Sequence, residues 1–156
     1  MNYRLYNQDD FEALYVIEEV CFKPPQRFSR AYMRQLVKSR TAATWVAEEG
    51  GVMAGFAIVE WHDTTRGISA YIPTIEVLPE RRGHGVGREL LQRLEQSARD
   101  AGAAAIELHV DTTNAGAIQL YESQGYRRWG SRDNFYAQGR PAYLYKKEFA
   151  PGNQAQ

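Results

Sequence analysis

VLPERRGHGVGRELL, residues 77–91, decides the fold of this chain of 156 residues. Three glycines alternate at positions 83, 85 and 87, directly before a segment whose apolar residues recur with helical spacing. Because glycine loses more conformational entropy on folding than other residues, this cluster indicates a tight turn and a ligand close to main-chain N–H groups. A strand, a glycine loop and a helix N-terminus in this order form a place that holds an anion.

Two nucleotide-binding motifs are similar to this loop, but both fail at Arg88. A P-loop ends in Gly-Lys-Ser/Thr, whereas Gly87 is followed by Arg88 and Glu89. The dinucleotide fingerprint needs its third glycine where Arg88 stands. The loop therefore favours another phosphate-bearing ligand, to which Arg82 and Arg88 add charge-assisted hydrogen bonds. A surface turn without a ligand is the alternative.

Composition and charge argue against several classes of function. The 19 Lys and Arg residues balance 19 Asp and Glu residues, so no net field attracts nucleic acid or an anionic membrane. No apolar run approaches the roughly 18 residues that span a bilayer, and the first residues lack the apolar core of a secretory signal. A single cysteine excludes an internal disulfide framework. We expect a cytoplasmic protein without a metal, nucleic acid or membrane partner.

Hydrophobic periodicity predicts an α/β chain with the order β-α-α-β-β-β-α-β-α-β-β. Helices are expected from Asp9-Asp10 to about Phe22, after Ser29, over 86–101 and after Asn114; strands are expected at 3–6, 44–48, 52–61, 68–78, 105–110, 126–134 and 142–149. Pro73 cannot donate to a strand ladder, so we expect a bulge there. The strand–helix–strand order of the second half predicts a parallel crossover within a mixed sheet. One domain over 1–149 and a disordered tail over 150–156 are expected.

The glycine loop resembles the acyl-coenzyme A loop of the GNAT superfamily of N-acyltransferases. That family's pattern, Arg/Gln-x-x-Gly-x-Gly/Ala, is met by Arg82, Gly85 and Gly87. A second family motif resembles NAGAIQLYESQGY, residues 114–126, through Asn114, Ala117, Leu120, Tyr121, Gly125 and Tyr126. The resemblance implies a central mixed, mostly antiparallel sheet that splays between its fourth and fifth strands.

The resemblance also implies acetyl-CoA as the co-substrate. Its pyrophosphate would take N–H groups between Gly83 and Arg88, and its pantetheine arm would pair with backbone near Val77 and Leu78. The expected cofactor-binding residues are Val77, Leu78, Arg82, Gly83, His84, Gly85, Val86, Gly87, Arg88, Asn114, Ala117 and Tyr121.

Acyl transfer to an amine needs a base for the amine and an acid for the thiolate that leaves. The resemblance gives Tyr121 the role of the acid, in a direct transfer within a ternary complex. No covalent nucleophile is required, and Cys21, in the first helix, is read as a packed thiol.

His109, Tyr71 and Glu76 are the candidates for the base. The usual pKa of histidine suits a base near neutral pH, and LHVDTTN resembles the N-terminal peptide acetyltransferases, some of which use this histidine as the base. The ribosomal-protein alanine acetyltransferases, which the chain also resembles, carry a glutamate there. Tyr71 matches the partner of that histidine, and Glu76 is the alternative base, acting through a water. A bulge at Pro73 would bring Tyr71 and Glu76 to one face of the strand.

The acceptor amine is the least determined feature. The last hairpin and the loop between the first two helices resemble those of the N-terminal acetyltransferases, which gives Phe22, Phe28 and Tyr136 as acceptor-binding residues, with Phe135 beside Tyr136. An α-amine loses its proton more easily than lysine, since their pKa values are about 7.7–8.0 and 10.4. We expect the N-terminus of a peptide or protein, with a monomer or weak homodimer as the enzyme; a small-molecule amine, and a non-catalytic acyl-CoA-binding module, are the alternatives.

Overall fold

The predicted order of strands and helices is confirmed by the computed structural model, which describes residues 1–150. The strands are β1 (Asn2–Leu5), β2 (Ala42–Glu49), β3 (Val52–Thr64), β4 (Gly67–Val77), β5 (Ala103–Asp111), β6 (Arg127–Ala137) and β7 (Arg140–Glu148). The helices are α1 (Phe11–Cys21), α2 (Arg30–Lys38), α3 (Val86–Asp100) and α4 (Ala115–Ser123). Most of the predicted tail, from residue 151 onward, lies outside the described residues.

Side chains and glycines fix the ends of the helices where the sequence placed them. The Ser29 hydroxyl accepts the N–H of Tyr32 and begins α2, and the Asn114 side chain accepts the N–H of Ala117 and begins α4. Gly102 and Gly125 follow α3 and α4 with positive φ, the conformation in which glycine ends a helix. These short-range signals explain why the helices could be located from the sequence.

All seven strands form one sheet in the order β1-β2-β3-β4-β5-β7-β6. β4 and β5 are parallel, joined through α3, and the other neighbouring pairs are antiparallel. The sheet is therefore mixed and mostly antiparallel, as expected.

The bulge predicted at Pro73 is confirmed by the register between β3 and β4. Ile58 pairs with Thr74 and Glu60 pairs with Tyr71, so β4 carries one extra residue between these pairs. The parallel pairing of β4 with β5 ends at the same level, where Ile72 lies opposite Leu108, although both strands continue. The two strands part beyond this level and leave a slot in the middle of the sheet.

Helices cover both faces of the sheet and form two apolar clusters. On one face, α3 packs Leu90, Leu91 and Leu94 against the strands. On the other face, α1 and α2 pack Leu14 and Met33 against theirs. The residues of β3 alternate between the two clusters, as a strand that is buried on both faces requires.

Gly55 in β3 permits the close approach of β4 at its last residues. A Cβ atom at Gly55 would lie 2.5 Å from the carbonyl oxygen of Glu76, which is backbone and cannot swing away. We therefore expect Gly55→Ala to lower the free energy of unfolding by about 1–3 kcal/mol, the usual cost of overpacking. Urea denaturation measures this change.

Gly116→Ala in α4 is the matched control. A Cβ atom there meets nothing within 4 Å, and alanine favours a helix, so this variant should be as stable as the wild type or more stable. Equal stability of the two variants would contradict the close approach at Gly55.

Candidate active site

A cavity of about 1,100 Å³ lies beside the slot, between the end of β4, the glycine loop and α4. The residues that line it include these members of the predicted cofactor set: Val77, Arg82, Gly83, His84, Gly85, Val86, Gly87, Arg88, Asn114, Ala117 and Tyr121. The structure thus brings together all of the predicted cofactor residues except Leu78.

The glycine loop presents backbone N–H groups to this cavity. Gly83 and Gly85 have φ values of 82° and 84°, which side-chain-bearing residues rarely adopt. The N–H of Glu89 donates to the Gly85 carbonyl as the first turn of α3 closes, and the N–H groups before it point out of the helix end. Together with the helix dipole they fit a phosphate group.

Leu78 and Arg82 make contacts that the sequence did not predict. The chain turns directly after β4, so the Leu78 N–H donates to the Ala54 carbonyl and the Leu78 carbonyl accepts the N–H of Arg81. The Leu78 backbone therefore takes part in this turn, and its pairing with a pantetheine arm stays a prediction. The Arg82 Nε donates to the Val77 carbonyl at 2.8 Å, so Arg82 holds the loop against the strand end.

A second cavity of about 600 Å³ lies on the α1 side of the slot. Its walls carry the three predicted acceptor residues, Phe22, Phe28 and Tyr136, and also Phe135. We call it the acceptor chamber. Burial raises the pKa of Tyr136 to about 12, so this phenol stays neutral.

Tyr71 and His109 meet inside the acceptor chamber. The Tyr71 hydroxyl lies 2.8 Å from the His109 Nδ1, and the imidazole stacks on Phe135 with the ring centroids 4.2 Å apart. Burial raises the pKa of Tyr71, so the phenol keeps its proton, and it donates to Nδ1 when the imidazole carries its own proton on Nε2. Burial, with the charge of Arg132, lowers the pKa of His109, which keeps the imidazole neutral near pH 7.

The two cavities share a boundary at Tyr121. Six residues line both of them: Cys21, Phe22, Ile75, Asn114, Ala117 and Tyr121. Burial raises the pKa of Tyr121 far above the usual value, so its hydroxyl keeps its proton. The sequence predicts a packed thiol at Cys21, whereas the structure places Cys21 half-buried at this boundary.

Glu76 lies on the same face of β4 as Tyr71, as the bulge requires, but it is separated from the acceptor chamber. Its carboxyl is 2 % exposed, accepts the Thr74 hydroxyl at 2.7 Å and meets the buried carboxyl of Glu18 in α1. The Glu18 carboxyl also accepts the N–H of Phe28. Each carboxyl has one buried oxygen without a hydrogen-bond partner, and burial beside Glu18 raises the pKa of Glu76 so that Glu76 keeps its proton.

Several side chains of the acceptor chamber were not predicted from the sequence, and those that bear most on its chemistry are Glu18, Gln26, Asp111 and Arg140. Glu18 stands on the apolar stripe of α1, where a carboxyl group is itself a signal that the sequence offered. Asp111 ends a buried strand, which is a weaker signal. The sequence gives no signal for Gln26 and Arg140, because their shared partner, Asp111, is 85 and 29 residues away along the chain.

Residues 1–150 contain no group of three or more His, Cys, Asp or Glu side chains that could hold a metal ion. None of the helices in this part of the chain combines the length and the apolar character needed to cross a bilayer.

Known proteins share both the sequence pattern and the fold. Residues 10–126 match the acetyltransferase (GNAT) family. The structure of the ribosomal-protein-S18-alanine N-acetyltransferase from Escherichia coli superimposes with a TM-score of 0.81 and 26% identity, over 97% of both chains.

Two curated relatives differ in the acceptors that their names state. The N-alpha-acetyltransferase RimI of Mycobacterium tuberculosis is 34% identical over 65% of this chain and 63% of its own length. The mycothiol acetyltransferase of Thermobispora bispora is 35% identical over 56% of this chain and 31% of its own length. The chain thus matches less than two thirds of each relative.

The buried Glu76 carboxyl makes the stability of the fold depend on pH. Burial and the neighbouring Glu18 carboxyl raise the pKa of Glu76 well above 4.5, so the folded chain keeps a proton that the unfolded chain releases. Stability should therefore fall as the pH rises from about 4.5 towards the folded-state pKa. Glu76→Gln cannot ionise and should lose this slope when urea denaturation is measured between pH 5 and pH 8.

Glu95→Gln is the control for this experiment. Glu95 is also buried, but its carboxylate pairs with Lys147, so its replacement should lower stability at every pH in the range. Parallel pH profiles for the wild type and Glu76→Gln would contradict the raised pKa of Glu76.

Proposed function

The chain belongs to the acetyltransferase (GNAT) family, and from this membership we propose that it transfers an acetyl group from acetyl-CoA to the N-terminal α-amine of a peptide or protein. One observation carries the proposal. A cavity with an anion-binding loop and a chamber with a tyrosine–histidine pair meet at a buried, neutral tyrosine, Tyr121. A donor and an acceptor can thus approach one another from opposite sides.

The cofactor cavity has the groups that coenzyme A needs. The N–H groups of residues 83–88 and the dipole of α3 would hold the pyrophosphate. The edge of β4 from Pro73 to Val77, which is not paired with β5, offers backbone groups to the pantetheine arm. Acetyl-CoA, when bound, supplies the thioester whose acyl carbon the amine attacks.

The neutral states of three side chains suit the proton transfers of this reaction. In our proposal the Tyr71 oxygen takes a proton from the amine while the Tyr71 hydroxyl proton passes to His109 Nδ1, 2.8 Å away. Tyr121 keeps its hydroxyl proton at neutral pH and donates it to the thiolate that leaves.

Of the three base candidates, we propose the Tyr71–His109 pair rather than Glu76. Tyr71 and His109 line the acceptor chamber, whereas Glu76 lines the cofactor cavity and is held by Thr74 and Glu18. A buried carboxyl that already holds its proton cannot take one from the amine.

The charges of the acceptor chamber favour a peptide over a polyamine. Among the described residues that line it, Asp111 is paired with Arg140, and the Glu18 carboxyl is buried against Glu76. No uncompensated carboxylate is therefore left among them to attract a polycation. Aromatic walls and a single neutral base suit an α-amine that carries a short apolar side chain.

A small-molecule amine is the second candidate acceptor. Its support is the similarity of the chain to the mycothiol acetyltransferase and the chamber volume of about 600 Å³, which a small molecule can fill.

An acceptor panel tests the proposed function. Acetyl-CoA is incubated with free N-terminal peptides, the same peptides with blocked N-termini and an internal lysine, spermidine and cysteine amide; mass spectrometry reports the products, since the thiol of cysteine amide would itself react in a thiol assay. We expect acetylation of the peptides with free N-termini and of no other acceptor; blocked peptides should fail because at neutral pH an α-amine loses its proton more easily than lysine by about 2.5 pKa units. Acetylation of a small amine and of no peptide would contradict the peptide as acceptor and favour the second candidate, a small-molecule amine. Coenzyme A binding without any turnover would indicate a binding module.

A double-mutant cycle tests the base. Tyr71→Phe and His109→Gln should each lower kcat for the active acceptor by about 100- to 10,000-fold, while the affinity for coenzyme A stays unchanged. Because the two groups act on one proton, the double variant should lose no more than the worse single variant. His62→Gln, on the exposed part of β3, is the control and should keep full activity. Losses that multiply in the double variant would show that the groups act independently.

A further inference from the structure

Three side chains from distant segments meet at one oxygen atom in the acceptor chamber. Gln26, in the loop between α1 and α2, donates its Nε2 hydrogen to Asp111 Oδ2 at 2.8 Å. Arg140, at the start of β7, donates to the same oxygen at 2.8 Å. Asp111 ends β5, so its carboxylate joins the loop and the last hairpin to the centre of the sheet.

The other oxygen of Asp111 fixes the direction of the carboxylate. Asp111 Oδ1 accepts the N–H of Thr113 at 2.9 Å and the Thr113 hydroxyl at 2.7 Å. The side chain is 6 % exposed. Burial by itself raises the pKa of Asp111, but the hydrogen bonds from Thr113 and Arg140 outweigh it and bring the pKa below the usual range. The group is thus an oriented, ionised acceptor with two local and two long-range partners.

The two segments that Asp111 joins are the two walls of the chamber. Phe22 and Phe28 stand on the loop between α1 and α2. Phe135 and Tyr136 stand on the hairpin, where the register between β6 and β7 jumps from Arg132–Ala142 to Ala137–Arg140. The aromatic residues of the hairpin therefore lie outside the regular ladder, and side-chain contacts must hold them.

We propose that Asp111 is a positioning residue that fastens both walls of the acceptor chamber and thereby sets the affinity for the acceptor. That the chamber binds an acceptor rests on the proposed function, whereas the structural role of Asp111 in holding the two walls does not. Asp111, Gln26 and Arg140 line the acceptor chamber and are absent from the lining of the cofactor cavity, so the effect is confined to the acceptor.

Asp111→Asn is the most informative variant. Asparagine has the same size, but it has lost the charge, and its NH₂ group must face either Thr113 or the donors of Gln26 and Arg140. We expect the KM for the active acceptor to rise about ten-fold or more, with little change in kcat and in the KM for acetyl-CoA.

Asp10→Asn is the matched control. Asp10 is 9 % exposed and pairs with Arg4 at 2.8 Å, but it lies before α1 and away from both cavities. It should lose stability and leave both KM values unchanged. An Asp111→Asn variant with an unchanged acceptor KM, or a parallel rise in both KM values, would overturn the proposal.

Hydrogen exchange gives a readout that does not need turnover. Asp111→Asn should speed exchange both in the loop around residues 22–29 and in the hairpin around 133–140, and leave α3 protected. Gln26→Ala should loosen only the loop and Arg140→Ala only the hairpin. Exchange that rises throughout the chain, or in neither wall, would overturn the fastening role. If the wild type acetylates no acceptor, the proposed function fails and this experiment alone decides the role of Asp111.

Discussion

The site depends on one constraint, the end of pairing between β4 and β5 at Ile72 and Leu108. Proline has no N–H to donate to a neighbouring strand, and Pro73 comes directly after Ile72, the last residue of β4 that pairs with β5. The extra residue in β4 at this level also shifts the phase of its side chains, so Tyr71 and Glu76 face α1 although they are an odd number of residues apart. A regular strand would have kept the two strands together and closed the slot between the cavities. The bulge thus creates the space for the reaction and decides which side chains reach it.

Burial places each ionisable group of the site in the state that acyl transfer needs. It raises the pKa of Tyr71 and Tyr121 and lowers that of His109, so two phenols and an imidazole stand neutral around the boundary of the cavities. A neutral imidazole accepts a proton and a neutral phenol donates one, which is the division of roles that two proton transfers require. The same burial is costly for carboxylates. Asp111 meets this cost with four donors, and Glu76 meets it by keeping its proton, because burial raises its pKa.

The elements and the cofactor cavity could be predicted from the sequence because their signals are local. A proline marks the bulge, Ser29 and Asn114 mark helix starts, and the glycines at 83 and 85 mark backbone with positive φ. Leu78 is absent from the lining of the cofactor cavity; the turn after β4 uses both of its backbone groups, and the sequence carries little signal for such a turn. The partner of Glu76 was missed because Glu18 belongs to another element, on a helix that the sequence places near β4 only through the whole fold.

The same difference explains why the proposed donor is easier to infer than the proposed acceptor. The anion cradle is made from consecutive backbone N–H groups at a helix start, so a few contiguous residues specify it. The acceptor chamber is made from side chains of a loop, a strand end and a hairpin, which meet only through contacts such as those of Asp111. Asp111 and its two partners at Oδ2, Gln26 and Arg140, can change without touching the cradle, because none of the three lines the cofactor cavity. Donor binding and acceptor choice therefore depend largely on different residues, and the six residues that line both cavities, Tyr121 among them, are where the two properties meet.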